Sequence, residues 1–466
     1  MLLMKCIFYS ISIIIAIISI LSIYFQIAGK KPSVYWLNFK PESEKIIQEL
    51  AFEYEERTGT KVNILTPETG FYNDILTVEL QKPSPPTLFI VGSQNDIDKL
   101  SEYLYDLTNT TIASELNTND FNLYTNDSKL VAIGYCYETF GLITNIELLE
   151  KAGYKIDEIK DFKSLKTIVE DIHANSEKLG FDAFTSSGLD DSSSFRFSAH
   201  LANVPLYYES RDDEWEETPP SIKGTYLQNY KNLWDLYIDN CPYKPDTLIS
   251  GKYNAEEEFG KKQAVFYQNG NWEYDTLVNY YGLNPEKLTM IPLYSGVEGE
   301  EKAGLNSGTE NHWAVNANAS QEDIEATLDF MYWLVTDKDA SKKIVRSFGS
   351  MPFKNSVLSD NIFLEKANQY NLKGYYTMTW AFNYTPNRIE WRKDIVSALY
   401  KYSIDRTGQN WGNFISMFTK SWRTQYISTW AIMPVPLMAA VPSMWFMSLR
   451  AKPLYAFSRW GATLLS

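Results

Sequence analysis

Side chains able to do acid–base or nucleophilic work are sparse, with three His and three Cys in the whole chain. His173 falls in a helical stretch facing acids, His200 in a polar helical stretch and His312 in a Gly-rich loop. No G-x-S-x-G, Walker or dinucleotide motif accompanies them. That inventory supplies no nucleophile with its base, no zinc framework and no disulfide scaffold. What it offers is recognition chemistry: 32 Tyr, 13 Trp and 15% aromatic residues overall, rings that suit flat, half-polar ligands as well as cores. Trp272 follows the apolar run AVFYQ and Gln268-Asn269-Gly270-Asn271, which read as a strand end and a tight turn, so its ring is expected at the rim of a sheet. A Trp that packs the turn is the alternative. Asn38 lies near the end of the run VYWLNF, and Gln94 and Asn95 follow TLFIV. Open α/β sheets bind ligands beyond such strand ends, although amides there also serve as turn and capping groups. Arg196, in the Ser-rich SSSFRFSAH, carries a planar fork able to grip paired hydroxyls or to form a salt bridge with an acidic surface.

These residues need elements to position them, and the periodicity supplies a series. VYWLNF at 34–39 reads as a strand, and Ile46, Ile47, Leu50, Ala51 and Tyr54 recur at helical spacing before Gly59. KVNIL at 61–65 is a second strand, Tyr72 to Leu80 a helix and TLFIV at 87–91 a third strand, followed by a helix marked by Ile97, Leu100, Leu104 and Leu107. Repeated βα units build an open, largely parallel sheet covered by helices on both faces. A second series follows Leu142: helices around Phe162–Ile172 and Tyr226–Tyr237, and strands FDAFTS (181–186), AVFYQ (264–268) and LTMIPL (288–293). Helical stripes then dominate, at Ile324–Val335, Asp337–Phe348, Trp391–Tyr402 and Trp411–Trp422. The pattern predicts an α/β protein of two lobes. Trp36, Trp234, Trp313, Trp411 and Trp422 are expected in cores, and the acidic patch Glu209 to Pro220 as a solvated loop.

Length and charge bound the rest. At about 150 residues per domain, 466 residues suit two large lobes with something attached. A net charge of −15 repels phosphate backbones and argues against nucleic acid as a partner. Ile7 to Phe25 is an uncharged run between Lys5 and Lys30, long enough for a membrane anchor or an export signal within residues 1–31. Cys6 opens that run instead of closing it, so lipidation is not expected, and Cys136 and Cys241 are expected as buried free thiols. The tail 427–466 has no acid and carries Pro434, Pro436 and Pro442, which argue against a regular spanning helix. It reads as an appended segment without function, with a membrane-associated tail, a fusion remnant or a stretch in a different frame as alternatives.

Taken in order, several segments resemble the extracellular solute-binding proteins of ABC importers, in particular the sugar-binding group of maltodextrin-binding type. They are VYWLNF, PSPPTLFIVGSQND, IGYCYETFGLITNIELLEKAGY, VFYQNGNWE, GLNSGTENHWAVN and the helix containing FMYWLVTD, spread over 34–426. The resemblance implies a two-lobe, periplasmic-binding-protein-like fold with discontinuous lobes, 34–136 plus 306–368 and 139–303 plus 371–426, and a ligand cleft between them. It implies a monomer outside the cell membrane that binds a sugar or oligosaccharide, uses no cofactor and serves ABC permease subunits. A sugar presents apolar C–H faces and a rim of hydroxyls, so its cleft needs aromatic plates edged by acids, amides and Arg. The family places a ligand-contacting acid near Glu138, where a hinge salt bridge is the alternative, and a late aromatic near Trp380. Trp391 fits a helix stripe with Ile395. Two other functions stay open: a membrane-tethered sensor that signals to a kinase, and a glycosidase, which needs only two of the 58 acids.

Overall fold

Val34 and Trp36 point to one side of the first strand and are fully buried, and Leu37 closes it against the same core. That strand, β1 (Ser33–Leu37), opens a chain of which the computed structural model describes residues 31–431 apart from 69, 120, 216 and 358. The anchor or signal and most of the tail lie outside the described residues. β1 pairs in parallel with β2 (Lys61–Leu65) and β3 (Leu88–Val91). The connecting helix Glu44–Thr58 buries Ile47, Leu50, Ala51 and Tyr54, an i, i+3, i+4, i+7 stripe. It stops at Gly59, whose φ of +73° only glycine adopts without strain while its N–H bonds Glu55 O.

β4 (Leu123–Tyr124) and β5 (Leu130–Gly134) complete the far edge of this sheet, and β6 (Glu138–Asn145) then opens a second one. That sheet takes β7 (Asp182–Phe184), β8 (Ala264–Gly270), β9 (Leu288–Ile291) and β10 (Ala303–Gly308). The chain returns to the first sheet with β11 (His312–Val315) and to the second with β12 (Tyr376–Thr379). The strand orders are β2-β1-β3-β11-β5-β4 and β12-β10-β6-β8-β7, with β9 also on β6. This is a two-lobe α/β fold with each lobe discontinuous in sequence. Each sheet is mixed where a largely parallel one was expected: β11 runs against β3 and β5, and β6 against β8, β9 and β10. The reason is that β6 and β11 enter from the other lobe, so they start where their neighbours end. The carboxyl ends of β3, β5, β8 and β10 therefore all face the junction between the sheets.

Several expected elements shift in detail. Ile97–Leu100 and Ser101–Tyr103 are two short helical turns, after which Leu104 is extended and bridges Asn316. Asn269 and Gly270 continue β8 instead of turning the chain, and the turn comes at Asn271–Glu273. β10, expected to pass to the first lobe at 306, belongs to the second sheet through Gly308. The helix Ile362–Leu372 packs Phe363 with Ile143, Tyr267 and Leu288 of that same side. Glu209 is no solvated loop acid: it is buried at the end of a helix and accepts N–H groups of Lys223, Gly224 and Thr225. Trp36, Trp234, Trp313, Trp391 and Trp422 are fully buried, whereas Trp411 packs against the core half-buried. Cys136 and Cys241 are buried free thiols. Among the described residues no helix is long and apolar enough to cross a membrane.

Candidate functional site

The chain leaves β1 through a tight amide turn. Asn38 donates Nδ2–H to Lys40 O (2.7 Å) and Thr66 Oγ1 (3.2 Å), and its Oδ1 accepts from Lys40 N–H (3.1 Å). Fully buried and fully bonded, Asn38 is a turn amide that fixes Lys40. Lys40, 4% exposed, crosses the junction to pair with Glu138, also 4% exposed, at the start of β6. Asn311, in the passage from β10 to β11, donates to the other oxygen of Glu138 (2.9 Å). Burial opposes the Lys40 charge, but Glu138 and Glu42 outweigh it and hold the ammonium above its ordinary value. Burial pushes the Glu138 carboxyl up against the pull of Lys40. The hinge salt bridge weighed for Glu138 is thus present. Its cation was missed in the sequence because a Lys after a strand ordinarily faces solvent.

Lys40 also sits 5.8 Å above the Trp272 ring. Trp272 is half-buried and lies across Gly270, where any Cβ would collide with the indole. His200 is a further neighbour, at 5.4 Å between ring centroids. His200 stacks on Phe140 of β6 at 4.1 Å, and Phe140 in turn faces Trp380 at 5.6 Å. Burial, then Arg392 and Arg196, holds His200 well below its ordinary pKa, so it is a buried, neutral ring on the helical stretch expected for it. His312 is in β11, not a loop, and burial lowers it to about 4. Trp380, 7% exposed, lies on Gly308, where a Cβ would come within 2.6 Å of the indole.

These rings are laced by amides. Asn271 accepts from Thr139 N–H (2.7 Å), Asn203 donates to Asn306 Oδ1 (2.8 Å) and accepts from Phe382 N–H (3.1 Å), and Gln268 Nε2 meets His200 Nδ1 at 3.2 Å. Buried polar atoms are nearly always bonded. Yet Gln268 Oε1, Asn306 Nδ2, Asn311 Oδ1, Trp380 Nε1 and Asn383 Oδ1 have no protein partner, and all lie on or beside strand ends at the junction. Next to Trp272, Glu273 is pushed up to about 8 by burial and then by Glu256. A group that is flat, partly apolar and rich in hydroxyls would complete this set. Among the described residues no three His, Cys, Asp or Glu side chains converge as a metal's ligands would.

Glu138, Trp272 and Trp380 therefore meet in one network, and Asn38 supports it from behind. Gln94 stands apart, exposed and bonded to the Tyr124 backbone by both amide atoms. Asn95 tethers the rim by accepting from Thr218 Oγ1 (3.1 Å) and donating to Thr385 O (3.4 Å). Close by, Arg388 pairs with Glu310 and reaches Asp96 at 3.6 Å. Arg196 is 3% exposed and, among the described residues, forms no salt bridge. It bonds Ser186 O (3.0 Å), lies 5.5 Å from the Tyr267 ring and leaves Nη1 unpaired.

A family model described as bacterial extracellular solute-binding protein matches residues 49–371. No curated protein sequence matches the chain. Among solved structures, RafE of Streptococcus pneumoniae, in complex with raffinose, superposes with a TM-score of 0.64 at 13% identity, covering 84% of this chain and 99% of that one. A Bacillus licheniformis sugar transporter protein in complex with stachyose gives 0.62 at 16%, covering 84% and 100%. The GacH receptor of Streptomyces glaucescens, studied with acarbose, gives 0.57 at 14%, covering 85% and 99%.

Proposed function

The chain belongs to the bacterial extracellular solute-binding proteins, and on that premise we propose that it captures a sugar or oligosaccharide between its lobes and delivers it to the permease subunits of an ABC importer. The observation that carries this reading is the set of unpaired amide and indole atoms at the junction, framed by Trp272 and Trp380. Such atoms cost free energy when left unbonded, and the hydroxyls of a sugar supply partners of both senses. The complexes of related folds with raffinose, stachyose and acarbose support the ligand class. Glu138 serves the site as half of the Lys40 pair, and Trp272 and Trp380 serve as its aromatic walls.

In this proposal the lobes close over the ligand by hinge motion at the passages 135–137, 309–311 and 359–361. The protein works as a monomer on the outer face of the membrane, held or exported by its N-terminal apolar segment, and performs no catalysis. A thermal-shift screen of mono- and oligosaccharides tests it. A ligand at a hundred times its dissociation constant stabilises the fold by about 2.7 kcal/mol, a shift readily seen. No response to any sugar, or steady release of reducing ends from one that binds, would sink the reading.

A further inference from the structure

The helix Arg388–Ile404 begins at the rim of the junction and presents Arg388 and Arg392 one turn apart on the same face. Arg388 reaches into the first lobe. Its guanidinium occupies the space a Cβ on Gly92, just past β3, would take, and it pairs with Glu310 and with Asp96 at 3.6 Å. Arg392 instead lies over the Phe382 ring, 5.6 Å from its centroid. Phe382 stacks on Trp380 at 5.3 Å and on Phe140 at 6.4 Å, so Arg392 borders the same group of rings that contains His200 and Trp272.

The two arginines are not equally provided for. Each guanidinium carries five N–H donors. Among the described residues Arg392 makes no hydrogen bond, and its one ionic neighbour is Glu310 Oε1, 4.0 Å away and already bonded by Arg388. Other acids nearby are engaged elsewhere: Asp394 accepts from Ser421 Oγ (2.5 Å), Glu390 pairs with Lys393 (2.9 Å) and Asp96 accepts from Ser93 Oγ (3.0 Å). Burial, and then the like charge of Arg388, draws Arg392 down to about 9, so it is still charged at neutral pH. A charge withdrawn from water without a hydrogen-bonded counterion is costly. The side chain nevertheless stays 26% exposed, within reach of a partner from outside the chain.

The atoms around it lean the same way. Trp380 Nε1 and Asn306 Nδ2 are buried N–H donors without a protein partner. Asn203 ties both to the Phe382 turn, since it donates to Asn306 Oδ1 and to Thr379 O and accepts from Phe382 N–H. Hydroxyls of a neutral sugar could accept from these donors but would leave the Arg392 charge without a counterion. A carboxylate is planar, takes two parallel N–H bonds from one guanidinium and brings the single negative charge that is missing. A phosphate monoester would bring about 1.5 to 2 negative charges close to Glu310, more than one guanidinium offsets.

Resting on the sugar-binding function proposed above, we propose that the sugar this chain selects carries a carboxylate, as a uronic acid does, and that Arg392 is the residue that receives it. The acid group then lies against Arg392 at the Phe382 side of the junction while the sugar ring meets the indoles. The test is calorimetric titration of the full chain with three pairs of probes: glucuronate against glucose, galacturonate against galactose, and digalacturonate against its methyl ester, which keeps the shape and removes the charge. The acid of at least one pair should bind at least about tenfold more tightly than its neutral partner, the scale of a charge-assisted hydrogen bond. Arg392→Gln should remove most of that preference by weakening the acid far more than the neutral sugar, and Arg392→Lys, which keeps the charge and loses the fork, should retain part of it. Trp272→Ala should weaken every probe that binds. Neutral members that bind as tightly as the acids, or an Arg392→Gln protein that keeps the preference or weakens both members equally, overturns the carboxylate and leaves the sugar site standing. Tighter binding of galactose 6-phosphate than of galacturonate replaces the carboxylate with a phosphate and overturns the proposal as stated. Binding of none of the acids overturns it too, and when the wider sugar screen is also flat the sugar-binding function falls with it.

Discussion

Lys40→Met removes the cation from the most deeply buried ion pair that joins the two lobes. Glu138 would then keep one hydrogen bond, from Asn311, and no countercharge at 4% exposure. Stripping one partner from a buried pair costs about 3–5 kcal/mol, a large part of the roughly 5–15 kcal/mol that holds a typical fold together. Glu138→Gln should cost less, because Lys40 retains Glu42 at 3.7 Å and the Trp272 and Phe348 rings at 5.8 Å each. Replacing both, as Lys40→Met with Glu138→Leu, removes the desolvation penalty with the attraction and should return the protein to within about 1 kcal/mol of the parent. The Lys40→Met loss should also shrink on acidification. A carboxyl raised in the folded state contributes stability at pH values below its folded pKa and loses it as pH rises through that value. Urea unfolding at pH 7 and pH 5 measures the cost, and small-angle scattering reports whether it appears as parted lobes. A Lys40→Met protein within about 1 kcal/mol of the parent, equally compact and insensitive to pH, would refute the reasoning.

Two further outcomes follow from the same site. Trp272→Ala should lower sugar affinity by about tenfold or more, since about 1.4 kcal/mol is one decade, while costing less stability than the roughly 3–5 kcal/mol of a core Trp; titration and melting of one variant separate the two, and a large melting loss with unchanged affinity would place the ring in the core. Glu273, raised by burial from 4.5 to about 8, keeps its proton in the folded state, so stability should fall as pH rises from about 4.5 to 8, by at most about 5 kcal/mol and less because the side chain is partly exposed. Glu273→Gln should flatten that slope in denaturation curves, and an unchanged slope would show that the proton is held elsewhere.

The first lobe's opening βαβαβ was legible because each piece is local: a buried stripe in Glu44–Thr58, a glycine stop, an alternating strand. β10 and β11 were not, since GLNSGTENHWAVN reads as one Gly-rich return. Only pairing with β6 on one side and β3 on the other makes its halves strands of opposite sheets. Trp272 was proposed from the end of AVFYQ and Trp380 from the family resemblance, whereas Lys40 was not singled out, because its partner lies 98 residues away. His200 lies in the helical stretch expected, but its helical neighbours say nothing of Phe140, on which it stacks. Gly270 and Gly308 gave no signal of their own until two indoles were seen to rest on them.

The place of β11 governs the order in which the molecule can be built. It sits between β3 and β5 in the first sheet, yet its residues come after every strand of the second sheet except β12. A chain emerging amino end first leaves β3 and β5 with unpaired edges until His312–Val315 arrives, and such edges are where strands of other chains attach. The lobe that begins first is thus finished late, by a strand that must pass through the hinge. No single cut divides the chain into two fragments that each hold a whole lobe, and during synthesis the second sheet is nearly complete before the first can close.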